Sequence, residues 1–237
     1  MSDTITLTID GRKINAKPGQ TVLEAAEAAG VYIPRLCWME GLTPFGSCRV
    51  CTVRVNGRPQ SACTQPVSPG LIVENDTEEL RAHRRNLIDM LFVEGNHFCM
   101  FCEKSGACEL QALAYRFGIT APKYPFMFPQ RDVDASHPEI LVDRNRCVLC
   151  ARCVRASREQ DGKTVFGFVG RGTEKRLAVN ADTSLAGTDA TGADNAIAAC
   201  PTGSLLVKRV GYSVPVGRRK FDHHPIGSDI ERRATED

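Results

Sequence analysis

Eleven cysteines and one histidine divide into three groups of four in this chain, and no cysteine is left over. Cys37, Cys48, Cys51 and Cys63 form the first group, His97, Cys99, Cys102 and Cys108 the second, and Cys147, Cys150, Cys153 and Cys200 the third. Four ligands are the complement of one iron–sulfur cluster. Structural zinc is the competing chemistry for such sets. The first group reads C-x10-C-x2-C-x11-C, with one close pair where zinc sites usually have two. It suits a [2Fe–2S] centre, and the small residues around Gly46, Ser47 and Cys48 would let backbone N–H groups approach the sulfides. The third group is C-x2-C-x2-C with a distant Cys200-Pro201. Three thiolates so spaced can each take a different iron of a cubane, and bacterial ferredoxin runs also end in Cys-Pro. With four cysteines rather than eight, this region predicts a single [4Fe–4S] centre. In the second group three cysteines need a fourth partner. His97 is nearest, and a serine, a water or the more distant His83 are the alternatives.

Composition narrows the class. Across 237 residues, 42% are apolar and only 6% aromatic, which predicts two or three small modules with aliphatic cores partly organised by metal. A formal charge of +2 gives no basic excess of the kind that marks a nucleic-acid binder. No run of eighteen apolar residues is present, so no membrane span is expected. Many cysteines without a secretory signal predict a reducing compartment, the cytoplasm by default.

The elements that must position these residues follow from pattern. Residues 4–9 alternate as a half-buried strand, Asp10-Gly11 is a hairpin turn, and Lys13–Lys17 returns. Thr21 can cap a helix over Val22–Ala29. Val50–Val55 and Arg58–Ala62 flank Asn56-Gly57 as a second hairpin, and Leu71–Glu74 is a short strand. This is a β-grasp ferredoxin outline. Residues 77–93 predict a helix with Leu80, Leu87, Ile88 and Leu91 on one face and Arg81, Arg84 and Arg85 mostly on another. Glu109–Phe117 predicts a further helix, and 121–138, with four prolines, a connecting loop around aromatic anchors. Beyond it, Ile140–Val142, Thr164–Val169 and Ser204–Val210 predict strands, Cys150–Gln160 a helix, Asp194–Ala199 a helical turn and 181–193 a loop. Arg144, Arg146, Arg152, Arg155 and Arg158 read as solvated helix surface, or else as charges facing a cluster or an acidic partner. The polar, basic tail from Gly211 predicts a segment ordered mainly by a neighbouring subunit.

The first-group spacing, and Cys102-Glu103-Lys104-Ser105-Gly106-Ala107-Cys108-Glu109-Leu110-Gln111 in the second, resemble the large iron–sulfur subunits of respiratory complex I and related hydrogenases. In that family's common form three residues separate the histidine from the first cysteine; here one does. Glu-Gly-Asn-His-Phe-Cys-Met-Phe-Cys (94–102), Phe-Val-Gly-Arg-Gly (168–172) and Pro-Ile-Gly-Ser-Asp-Ile (225–230) resemble, more narrowly, the small iron–sulfur subunit of the diaphorase half of bacterial NAD-reducing [NiFe] hydrogenases.

The resemblance implies an α+β chain in three parts. These are a β-grasp [2Fe–2S] ferredoxin domain (1–76), a small helical segment with a histidine-ligated [4Fe–4S] cluster (77–120), and a ferredoxin-like all-cysteine [4Fe–4S] domain with its tail (121–237). It implies electron transfer between a hydrogenase module and an FMN- and NAD-binding diaphorase subunit, in an oxidoreductase coupling H2 and NAD+ to NADH. FMN, NAD and the Ni–Fe site would belong to the diaphorase subunit and the hydrogenase small and large subunits. No nucleotide fingerprint or acid–base constellation stands out in this chain, so no catalytic residue is expected. The same module in a formate dehydrogenase or complex I-like enzyme is one alternative, and a zinc-binding interaction module is another.

Overall fold

The computed structural model describes residues 4–233, with side chains through Arg232; Met1–Asp3 and the end of the predicted tail, 234–237, lie outside the described residues. Two hairpins begin the chain's architecture. β1 (Ile5–Ile9) pairs antiparallel with β2 (Arg12–Ala16), and Thr8 and Ile9 pair in parallel with the later β5 (Ile72–Glu74). β3 (Thr52–Val55) and β4 (Arg58–Ser61) complete a five-stranded sheet in the order β2-β1-β5-β3-β4. Both turns need two residues at positive φ, and Asp10-Gly11 (49° and 77°) and Asn56-Gly57 (48° and 80°) supply them. α1 (Val22–Ala28) packs on this sheet through Val22, Leu23, Ala25 and Ala26, against Leu7, Ile9, Val53 and Val73. Thr21 caps it as predicted, and Glu24 closes a capping box by accepting the Thr21 N–H at 2.8 Å.

α2 (Glu78–Val93) begins at a Thr77 cap and packs with α3 (Glu109–Arg116) around Ile88, Leu110 and Leu113. The predicted face is corrected at one position. Arg84 is not on the solvent side: it is 2% exposed, in line with the buried Leu80 and Ile88. Residues four apart on a helix share a stripe, so its place follows from spacing rather than residue type. Its guanidinium donates to the Asn75 carbonyl and Asn75 Oδ1 at 2.8 Å, the Thr52 carbonyl at 2.9 Å and the Val50 carbonyl at 3.3 Å. Burial pulls it down to about 10, so it remains a cation at neutral pH.

The third part contains a three-stranded antiparallel sheet, β10-β7-β6, made of β6 (Val133–Asp134), β7 (Ile140–Asp143) and β10 (Leu205–Val207). It also holds α4 (Arg152–Glu159), the ribbon of β8 (Phe166–Val169) with β9 (Arg176–Val179), and α5 (Asn195–Ala198). β6 and β9 are additions to the predicted elements. The helix predicted from Cys150 starts later, because Leu149 and Ala151 take positive φ (52° and 60°) and coil the chain around Cys150. The 121–138 loop is a correction: Tyr124, Phe126 and Phe128 are exposed, with Phe126 and Phe128 stacked at 5.4 Å. Its anchors are polar. Asp89 accepts the Lys123 N–H at 3.1 Å, the Val93 carbonyl that of Met127 at 2.9 Å, and Asn96 donates to the Pro129 carbonyl at 2.7 Å.

The tail has partners within its own chain. Tyr212 donates to the Phe101 carbonyl at 2.6 Å, the Phe221 N–H to the Gly106 carbonyl at 2.9 Å, and Arg116 to the Ile226 carbonyl at 2.8 Å. The tail ends in α6 (Ser228–Arg233), where Ile230 is 2% exposed and Glu231 pairs with Arg116.

Replacing Arg84 by Met strands four acceptors in a dry site, each worth about 1–3 kcal/mol if left unsatisfied. The variant should lose on the order of 3 kcal/mol or more, seen as a lower guanidinium midpoint for loss of visible absorbance. An unchanged midpoint would mean that Arg84 does not hold the first part to α2.

Candidate metal centres

The first group lies in the loops of the β-grasp sheet. Cys37 interacts with both Cys48 and Cys63, and Cys63 with Cys51, so all four thiols meet. The contacts with Cys48 and Cys63 pull the Cys37 thiol down; the contacts with Cys37 and Cys51 push Cys63 up. Backbone N–H groups of Ser47 and Cys48 face Cys37, and that of Val50 faces Cys48. Arg49 adopts positive φ (58°) between the two ligand candidates Cys48 and Cys51. Such a conformation costs about 1–3 kcal/mol, and it turns successive N–H groups towards one spot.

The third group lines one small pocket with Val148, Phe168, Leu177 and Leu205, and all four of its cysteines border it. N–H groups of Leu149 and Arg152 face Cys147 and Cys150. Burial pushes the Cys150 thiol up to about 12.

In the second group Cys99, Cys102 and Cys108 lie within electrostatic reach of one another. Cys108 caps α3, where the N–H groups of Gln111 and Leu110 face its sulfur, yet burial pushes it up to about 12. His97 is held edge-on to Phe92 at 5.5 Å and hydrogen-bonded to the Leu91 backbone. Burial, then the nearby Arg146 charge, pull it down to about 4, so the ring is neutral at physiological pH. Its Nε2 is buried without a partner. A dry, neutral imidazole nitrogen with no hydrogen bond fits a metal ligand. The alternatives fit less well. His83 is on the exposed side of α2, and Ser105 is engaged with Gln111 at 3.2 Å. Arg146 joins this site directly, donating to Cys102 Sγ at 3.5 Å.

Of the five arginines read as solvated surface, or else as charges facing a cluster or partner, two are buried. Arg152 forms a bidentate pair with Glu109, at 2.8 and 2.6 Å, beside Cys108. Arg155 reaches the Cys37 carbonyl. Arg158 is exposed as expected. Gly203 is a site residue that sequence reasoning missed: a Cβ there would lie 2.6 Å from Cys102 Sγ. Its only sequence signal is its place just after Cys200-Pro201. The third group is therefore tied to the second through Gly203, Arg146, and the Glu109 N–H on the Pro201 carbonyl at 2.9 Å. Among the described residues, no three His, Cys, Asp or Glu side chains are arranged to hold one metal ion. The third group's thiols border one shared space, and the N–H groups that face the cysteines of all three groups suit an anionic group.

Sulfur in such surroundings defines an iron–sulfur protein with several clusters. Three family models match in sequence: a 2Fe-2S iron–sulfur cluster binding domain over residues 2–78, the NADH-ubiquinone oxidoreductase-G iron–sulfur binding region over 84–123, and the ferredoxin-like domain of NADH-quinone oxidoreductase subunit 3 over 137–206. The gamma subunit of the NAD-reducing hydrogenase HoxS of Cupriavidus necator is 42% identical over 220 residues, covering 92% of this chain and 94% of that relative. The chain belongs to the family of this hydrogenase gamma subunit. A crystal structure of an NAD+-reducing [NiFe]-hydrogenase in the H2-reduced state contains a chain 49% identical to it, with a TM-score of 0.92 over 96% of this chain and 98% of that one. The alpha subunit of the NADPH-Fe(3+) oxidoreductase of Geobacter sulfurreducens is 35% identical over 86% of this chain, which spans 24% of that relative.

Buried thiols must lose protons to bind metal, while His97 is already neutral above about pH 4. Protons therefore compete for the cysteines, and competition strengthens as pH falls. Iron loss to a chelator should be faster at pH 6 than at pH 8, and anaerobic reconstitution should release acid. A rate that rose with pH would contradict this.

Proposed function

We propose that this chain is the iron–sulfur electron-transfer subunit of an NAD-reducing hydrogenase, relaying electrons between a hydrogenase module and an FMN- and NAD-binding diaphorase subunit. The observation that carries the reading is three groups of shielded sulfur linked through shared side chains in one chain whose family is that of the HoxS gamma subunit. When bound, the clusters supply reversible one-electron chemistry. The chain's residues hold the sulfur, shield it from water and set the charge around it.

In this reading Cys37, Cys48, Cys51 and Cys63 hold a [2Fe–2S] cluster. His97, Cys99, Cys102 and Cys108 hold one [4Fe–4S] cluster, and Cys147, Cys150, Cys153 and Cys200 the other. The division 1–76, 77–120 and 121–237 follows the three groups. The tail of the last part also returns over the second, which it meets at Phe101 and Gly106. FMN, NAD and the Ni–Fe site belong to the partners: the diaphorase subunit and the hydrogenase small and large subunits. Exposed Phe98, Met100 and Phe101 beside the second group, and exposed Met127 and Phe128 in the 121–138 loop, support assembly with other subunits. Among the described residues no helix is long and apolar enough to cross a membrane, and the cytoplasm is the proposed location.

Anaerobically reconstituted protein should carry about ten irons per chain, two from the first centre and four from each cubane. A reproducible value near six would remove one cubane from the assignment. His97→Ala should make the second centre labile to oxygen and chelators and abolish its normal EPR signal, while His83→Ala should leave it intact. A normal second-centre signal in His97→Ala, or its loss in His83→Ala, would overturn the histidine assignment. Copurification with a formate dehydrogenase instead of hydrogenase subunits would redirect the relay to that enzyme.

A further inference from the structure

Arg155 lies on α4 in the third part of the chain, and its side chain crosses into the first. Its Nη2 donates to the Cys37 carbonyl at 2.5 Å and to the Cys150 carbonyl at 3.4 Å. Cys37 belongs to the first sulfur group and Cys150 to the third. The remaining donors are used locally: Nη1 on the Thr43 carbonyl and Nε on the Ala151 carbonyl at 3.2 Å. The guanidinium also lies over the Phe45 ring at 5.6 Å.

Arg155 is 9% exposed, and all of these hydrogen-bond partners are neutral carbonyls. That contrasts with Arg152 on the same helix, which has Glu109 as a bidentate counter-ion. A buried cation facing only dipoles is costly to desolvate unless negative charge lies close by. Two thiolate-held centres, whose residues Cys37 and Cys150 both present a carbonyl to Nη2, would supply that charge.

We propose that Arg155 is a positioning residue of the relay: its guanidinium clamps the first and third centres together through one shared nitrogen and holds a fixed positive charge between them. The proposal rests on the relay reading above. The clamp sets the separation of the two centres, because Cys37 and Cys150 are held by the same group. The charge favours the reduced, more negative form of both centres and does so together, so neither becomes a step too far downhill for the electron to leave. A lysine could keep the charge, but its single ammonium lacks the planar fork that serves four carbonyls at once. The second centre is reached by Arg146 instead, so its potential should be largely independent of Arg155.

The test uses the assembled complex containing the full chain, with R155Q and R155K, iron assay and EPR-monitored redox titration. R155Q with full iron should shift the first- and third-centre midpoints to more negative values and leave the second in place. R155K should restore both midpoints towards wild type, yet alter the magnetic interaction between the reduced first and third centres. Full iron with unmoved midpoints in R155Q, or an equal shift of all three centres, would overturn the charge role. If R155Q loses iron, R155K decides: a wild-type interaction between the two signals would overturn the clamp. Wild-type protein without about ten irons and three separate signals would instead refute the relay reading itself.

Discussion

Negative charge on sulfur, held out of water, is the constraint that organises this molecule. A thiolate in a dry interior is unfavourable unless donors and cations replace its hydration. The chain meets the need mainly with backbone. N–H groups of Ser47, Cys48 and Val50 face the first group, Leu110 and Gln111 face Cys108, and Leu149 and Arg152 face the third group. Aiming them demands left-handed backbone at Arg49, Leu149 and Ala151, none of them glycine. Ligation would hold these otherwise unfavourable conformations in place, which couples metal binding to local folding.

Buried arginines then join the parts. Arg84 fastens α2 to the residues on either side of Cys51, through the Val50 and Thr52 carbonyls. Arg152 fastens α4 to α3 at Glu109, and Arg155 fastens α4 to the first ligand loop at Cys37. Each is a cation placed near sulfur, so one feature both holds neighbouring parts together and offsets negative charge. The third part makes polar contacts with both of the others, although it comes last in sequence.

The surface divides accordingly. Met100 is 86% exposed and Phe101 73%, in the loop that carries Cys99 and Cys102. Leaving such side chains in water is unfavourable for a chain that works alone. Placed over a sulfur site, they suit a partner that must come close to it. The tail leaves this loop in place, binding it through the Phe101 carbonyl.

The sequence by itself determined the local facts. Cysteine spacing separated the three groups, and Asp10-Gly11 and Asn56-Gly57 fixed two hairpins because few residue pairs tolerate positive φ twice. Thr21 set the start of α1, and periodicity found α2 and α3, since capping and amphipathicity act within a few residues. Tertiary structure decided what depends on distant partners. Arg84, Arg152 and Arg155 read as surface because residue type predicts exposure only when no remote acceptors are known. Their acceptors are Asn75, Glu109 and Cys37, brought near only by folding. β9 needed β8 beside it, Gly203 mattered only once Cys102 lay against it, and the tail's partners Phe101, Gly106 and Arg116 lie far away in the chain. The orphaned Nε2 of His97 belongs to the same class, because a nitrogen's lack of partners is a property of everything packed around it.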